Sequence, residues 1–257
     1  LAVGIMFGTG GSAVVAAKIG QGKLEEANRN FSALTLTTLI IGILGAVLGN
    51  LFCRQICSLL GATPVLMDYG TAYLRTILSF APVCLLQALF QSFFVTAGRP
   101  GLGLSLTVSA GITNMLLDYL FVVPLHLGVA GAACSTMLSQ MLLLVILLVF
   151  LTTAKTPIRL NPFHTDYHVE RQVLGQLWHI SIPVLLERLT LTSGQVALTA
   201  MISGLGTISL AAHYLTNQTE GLLYLPAYGF AYTATALVGQ ALGAGRKDLA
   251  DRVAFRI

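Results

Sequence analysis

Apolar stretches of nearly uniform length recur along this chain, and they leave it few folds to adopt. Residues 31–52, 76–96, 102–123, 129–152, 177–203 and 208–242 are each long and apolar enough for a helix to cross the hydrocarbon core, which takes about 20 residues. A shorter apolar piece, 1–17, reads as the tail of another span whose start lies outside the sequence. It lacks a basic leading region and an initial Met, so it does not read as a secretory signal. Only 9% of the 257 residues are charged, against about 25% in a typical soluble domain. The chain is expected to be an all-α, polytopic helical membrane protein, truncated at both ends.

The basic residues orient it. Lys18, Lys23, Arg29, Arg99, Lys155, Arg159, Arg171, Arg246, Lys247, Arg252 and Arg256 fall in alternate connections or at the ends beside them. The intervening connections hold Arg54 and little else. Loops rich in Lys and Arg stay on the cytoplasmic side, so the net charge of +4 reflects topology. No basic and aromatic cluster points to a nucleic-acid partner.

Other chemistry is sparse. Cys53 and Cys57 lie near a membrane surface, while Cys84 and Cys134 fall in apolar runs and read as buried filler. Of the histidines, His126, His164, His168 and His179 occupy loops or helix ends. His213 alone sits at membrane depth, where packing is the favoured role. No phosphate-cradling loop, nucleophile elbow or HExxH motif is present, so the chain does not read as an enzyme.

An internal echo is more informative. Residues 13–29 read AVVAAKIGQGKLEEANR, and residues 236–252 read ALVGQALGAGRKDLADR. Aligned without gaps, Gly20-Gln-Gly22-Lys23 falls on Gly243-Ala-Gly245-Arg246, and Ala27 and Arg29 fall on Ala250 and Arg252. Each copy ends an apolar helix with a Gly-x-Gly-basic turn and opens a charged amphipathic stretch. The copies lie six spans apart, an even number, so the two halves share one orientation about an axis along the membrane normal. Duplicated six-helix halves suggest a secondary transporter.

These segments carry a resemblance. Together with Ala97-Gly-Arg-Pro100, Asn114-Met-Leu-Leu-Asp118, the run 128–133 (GVAGAA), the run 205–212 (LGTISLAA) and Leu237-Val-Gly-Gln240, the chain resembles the MATE (multidrug and toxic compound extrusion) transporters of the prokaryotic, DinF-like type. The resemblance implies twelve helices in two six-helix lobes related by pseudo-two-fold symmetry, represented here from within the second helix to just past the eighth. Residues 1–152 would belong to the N-terminal lobe, 153–176 to a cytoplasmic linker, and 177–257 to the start of the C-terminal lobe. It implies export of amphipathic, often cationic, small molecules by H⁺ or Na⁺ antiport with alternating access, across the inner (plasma) membrane. The expected partners are those substrates and the lipid bilayer, with no cofactor beyond the coupling ion and a monomeric state. Two rivals remain open: a lipid-linked oligosaccharide flippase of the same superfamily, and a non-transporting scaffold or channel.

Asp118 is the residue such a reading needs. A carboxylate at a helix centre costs ~2.5–3.5 kcal/mol on insertion scales, and such groups mostly face a bundle interior or a wet cavity. Asn114 projects from the same helical face four residues earlier. Thr136 follows a five-residue connection (124–128), and by helical rise it reaches the same depth, roughly 10 Å below the outer surface. This carboxylate, amide and hydroxyl could hold a proton or a hard cation such as Na⁺. In the family they match the cation-responsive site, which also uses an Asp on the first helix. A second polar set, Glu187 and Glu220 near mid-membrane with Gln195, Asn217, Gln218 and Tyr224, is a candidate substrate or second-ion site, with Arg188 a natural ion-pair partner for Glu220. The topology is directly testable. With the native cysteines replaced, a membrane-impermeant maleimide added outside should label His126→Cys and leave Gln21→Cys unreacted.

Overall fold

The computed structural model describes residues 2–59, 64–98, 100–153 and 171–256, and among them it forms helices and no strand. In chain order these are α1 (Ala2–Gly20), α2 (Leu24–Leu51), α3 (Cys53–Leu59), α4 (Pro64–Ser79), α5 (Ala81–Thr96), α6 (Pro100–Val122), α7 (Gly128–Thr153), α8 (Arg171–Ser203), α9 (Thr207–Gly243) and α10 (Lys247–Arg256). Five of them, α1, α2, α6, α7 and α9, are long and apolar enough to cross a membrane. The helix α8 has ample length at 33 residues, but Glu187, Arg188 and a run of Thr, Ser and Gln dilute its apolarity.

Three expectations need adjustment. The run 76–96 is not one straight span: the chain breaks at Phe80, and α4 and α5 meet at 52°. Pro82 opens α5, where a missing N–H costs nothing and no helix can continue through unbent. The expected linker 153–176 is partly helical, because α8 begins at Arg171; residues 154–170, with His164 and His168, lie outside the described residues. Cys134 is exposed and Cys84 only half-buried, so the apolar sequence around each did not imply a core position. Cys53 and Cys57 are buried on α3, and burial pushes the Cys53 thiol up.

The piece that reads as a mere tail, α1, is the centre of the bundle. It packs against α2, α5, α8 and α9, which suits a helix apolar on every side. The core gathers around it: Phe7 of α1, Phe31 of α2, and Leu89, Phe90 and Phe93 of α5 are almost fully buried. The Phe31 and Phe93 rings sit 4.6 Å apart, centroid to centroid. Across the α1–α2 turn Lys18 of α1 reaches Glu26 of α2 at 2.5 Å, and Lys23 reaches the same carboxylate at 3.0 Å.

The repeated sequence is a repeated structure. Lys23 N–H donates to the Lys18 carbonyl and Gly22 N–H to the Ile19 carbonyl; Arg246 N–H donates to Ala241 and Gly245 N–H to Leu242 in the same way. Both are Schellman caps, with the left-handed residue supplied by Gly22 (φ +76) and Gly245 (φ +73). Ala27 and Ala250, matched in the alignment, are both buried.

The two copies also touch each other. A Cβ on Gly20 would stand 2.1 Å from the Gln240 carbonyl oxygen, and a Cβ on Gly243 would stand 2.1 Å from the Ala17 carbonyl oxygen. Ala17 and Gln240 are themselves equivalent positions of the repeat. The contact is therefore isologous, as a two-fold axis between α1 and α9 requires. Gln240 Nε2 adds a hydrogen bond to the Thr96 carbonyl at 3.1 Å. Gly243→Ala should force α1 and α9 apart at a cost of about 1–3 kcal/mol, the usual range for overpacking. Spin-label distances across the C-terminal ends of α1 and α9 should lengthen in this variant, and Ala244→Ser should leave them unchanged.

Candidate functional site

The site grows from the tight connection between α6 and α7. After Val122 the chain turns with Leu125 N–H bonded to the Leu120 carbonyl and Leu127 N–H to the Phe121 carbonyl. His126 (φ 51) and Gly128 (φ 54) take left-handed conformations there. This closes the two helices into an antiparallel pair and sets their register. Asn114 and Asp118, one turn apart on α6, come to lie beside Ser135 and Thr136 on α7.

The contacts are specific. Ser135 Oγ donates to Asp118 Oδ1 in a short hydrogen bond. Asn114 Nδ2 donates to Thr136 Oγ1 at 3.4 Å, and the Thr136 hydroxyl passes its own hydrogen to the Ala132 carbonyl at 3.0 Å. Ser135 is fully buried, while Asp118, Asn114 and Thr136 are half-buried. A charged acceptor roughly doubles the strength of a hydrogen bond, so the Ser135 hydroxyl offsets part of the carboxylate's desolvation. Ser135 Oγ has a second acceptor in reach, the Ala132 carbonyl at 2.9 Å. The hydroxyl can donate to the carboxylate when Asp118 is charged, or turn to Ala132 and accept from the acid when it is protonated.

Sequence reasoning missed Ser135. Its signal was present in the run 132–139, where Ser135, Thr136 and Ser139 recur at helical spacing along one face. Depth arithmetic alone could not choose between adjacent hydroxyls. One turn further along α7, Gln140 keeps Oε1 buried and without a hydrogen-bond partner among the described residues. No group of three His, Cys, Asp or Glu side chains among those residues could hold a metal ion. An ion at Asp118 would rely on one carboxylate with neutral amide and hydroxyl oxygens.

The second polar set divides. Gln195, Asn217 and Gln218 line a cavity of about 940 Å³ between the C-terminal part of α8 and the N-terminal part of α9, together with Thr192, Thr199 and Tyr214. Glu187, Glu220 and Tyr224 lie elsewhere, and Glu220 accepts a hydrogen bond from the Tyr224 hydroxyl at 3.0 Å. His213, read from sequence as packing, stands behind the cavity wall within 3.2 Å of Thr199 and 3.1 Å of Asn217.

Apolar helices long enough to span a bilayer, with a carboxylate clasped between two of them, define a multi-pass helical membrane protein. The MatE family model matches residues 1–120 and 183–257, and the chain belongs to that family. Its relatives include the probable multidrug resistance protein YoeA of Bacillus subtilis, 23% identical over 256 residues that make up 97% of this chain and 55% of YoeA. The chain spans about half the length of the curated relatives it matches. Among solved structures, a MOP superfamily transporter from Pyrococcus furiosus superposes with a TM-score of 0.86 at 20% identity, covering 99% of this chain and 56% of that one. An outward-facing MATE family transporter superposes at 0.84 with 19% identity, covering 99% and 56%. At these identities the likeness speaks to the fold alone.

A double-mutant cycle tests the clasp. Ser135→Ala and Asp118→Ala, separately and together, should show a coupling of about 1 kcal/mol in thermal unfolding in detergent, between the average of ~0.6 and the maximum of ~1.7 kcal/mol for membrane-buried hydrogen bonds.

Proposed function

We propose that this chain is part of a secondary active exporter of amphipathic, cationic small molecules, driven by H⁺ or Na⁺ antiport with alternating access. The observation that carries the reading is the Asp118 carboxylate, set on α6 among apolar residues and held by Ser135 of α7 beside the Asn114–Thr136 pair. Asp118, Asn114 and Thr136, with Ser135 added, form the cation or proton site. Binding of the ion changes which acceptor the Ser135 hydroxyl serves and so alters the contact between α6 and α7. Gln195, Asn217 and Gln218 contribute to the substrate cavity, and Glu187, Glu220 and Tyr224 lie on the same helix pair as candidate second-ion ligands.

The isologous α1–α9 contact supports the alternating-access element. Positive-inside orientation puts Gly20 and Gly243 at the cytoplasmic end, so this backbone approach closes the cytoplasmic side, while the α8–α9 cavity lies in the outer half. On this reading residues 1–152 belong to the first lobe and 177–257 begin the second, and the protein works as a monomer in the inner (plasma) membrane. Relatives bearing multidrug-resistance names, YoeA among them, support the substrate class.

The test is ethidium export from proteoliposomes bearing the intact transporter, measured under imposed pH and sodium gradients. Asp118→Asn should lower gradient-driven export more than tenfold. Undiminished export by that variant would remove Asp118 from the mechanism.

A further inference from the structure

The α8–α9 pair holds a titratable group that the cation site does not use. His213 lies six residues into α9, about 9 Å below its outer end by helical rise, and is half-buried. Its Nε2 is 3.1 Å from Asn217 Nδ2 and 3.2 Å from Thr199 Oγ1 of α8. Both partners line the cavity of about 940 Å³.

These partners suit opposite states of Nε2, one bare and one carrying a hydrogen. The Asn217 Nδ2 group can only donate to Nε2, so it needs a ring whose Nε2 is bare and whose hydrogen is on Nδ1. The Thr199 hydroxyl gives its hydrogen to the Gln195 carbonyl at 2.8 Å. It therefore turns an oxygen lone pair toward Nε2, which only a ring carrying a hydrogen on Nε2 can use. A proton on Nε2 completes a chain from His213 through Thr199 to the Gln195 carbonyl. The same proton expels the Asn217 N–H, and the amide must rotate at the cavity wall.

Little else nearby competes for that charge. On α9, Glu220 lies two turns away, about 10 Å along the axis, bonded to Tyr224; the Tyr214 ring is 6.3 Å from the imidazole. On α8, Glu187 and Arg188 are about 17 Å along the axis from Thr199, and His179 is farther still. Of the other helices packed on α9, α1 carries Lys18 as its one charged residue, at the cytoplasmic end, and α5 carries only Cys84 as a titratable group. The charges of α10, Lys247, Asp248, Asp251, Arg252 and Arg256, are all at the cytoplasmic end. A positive charge at His213 would thus be felt by any cation in the cavity.

We propose that His213 is a second proton-binding group, whose protonation turns the Asn217 amide, places positive charge behind the cavity wall and drives release of an amphipathic cation. The proposal rests on the export reading, and histidine suits it because its ordinary titration falls between pH 5 and 8.

The test uses the intact transporter in nanodiscs with ethidium as the probe. In the Asp118→Asn background, which removes the first proton site, ethidium affinity should fall about tenfold between pH 8 and pH 5.5. Adding His213→Gln should reduce that fall to less than twofold. Equal pH dependence with and without His213 would overturn the proposal. If ethidium binds in no variant, the export reading fails instead, and ¹⁵N NMR of the wild-type protein then decides. Protonation of the His213 ring in step with a shift of the Asn217 side-chain amide would uphold the switch; a ring neutral throughout pH 5–8 would refute it.

Discussion

The architecture depends on one close approach. Where α1 meets α9, two carbonyl oxygens occupy the space that side chains at Gly20 and Gly243 would need. In a membrane the hydrophobic effect does not drive helices together, so packing at small residues must do so. Here the small residues are also the last helical positions before two equivalent Schellman caps. The element that ends each helix thus also joins the two, and the shared geometry makes the contact symmetric. Because α1 is gripped by α2, α5, α8 and α9 together, this contact ties the helix 8–10 segment to the rest of the chain.

Joining at one end lets the other end specialise. The helix pair joined by the α6–α7 turn and the parts of α8 and α9 beside their connecting turn carry the polar groups, and both use the same device. In each, an ionisable side chain meets a hydroxyl on the neighbouring helix: Asp118 with Ser135, His213 with Thr199. Each hydroxyl also lies within 2.9 Å or less of a backbone carbonyl on its own helix, Ala132 or Gln195. A hydroxyl can donate only one hydrogen, so it serves either the carbonyl on its own helix or the side chain across the gap. Serine and threonine are well placed for this role in helices, where the carbonyl one turn back is always within reach.

With 9% charged residues, the chain has few groups to screen these sites. In surroundings of low dielectric each remaining charge acts over a longer range than it would in water. Sparse charge is therefore a condition of sensitivity as well as of solubility in lipid.

Much was legible in the sequence. Apolar run length fixed the all-helical, membrane-spanning class, because in lipid the backbone must satisfy itself. The Gly-x-Gly-basic echo predicted two equivalent caps, and helical spacing brought Asn114, Asp118 and Thr136 together. What periodicity and rise could not supply was rotation about each helix axis and the partner across each gap. They could not choose Ser135 over Thr136 for Asp118, separate Gln195 and Asn217 from Glu187 and Glu220, or place His213 between two opposed partners. Nor could they show that the shortest apolar piece, 1–17, is the helix around which the others pack. Local sequence sets how far along a helix a residue lies; which neighbour it faces depends on how whole helices pack, and only the tertiary structure decided that.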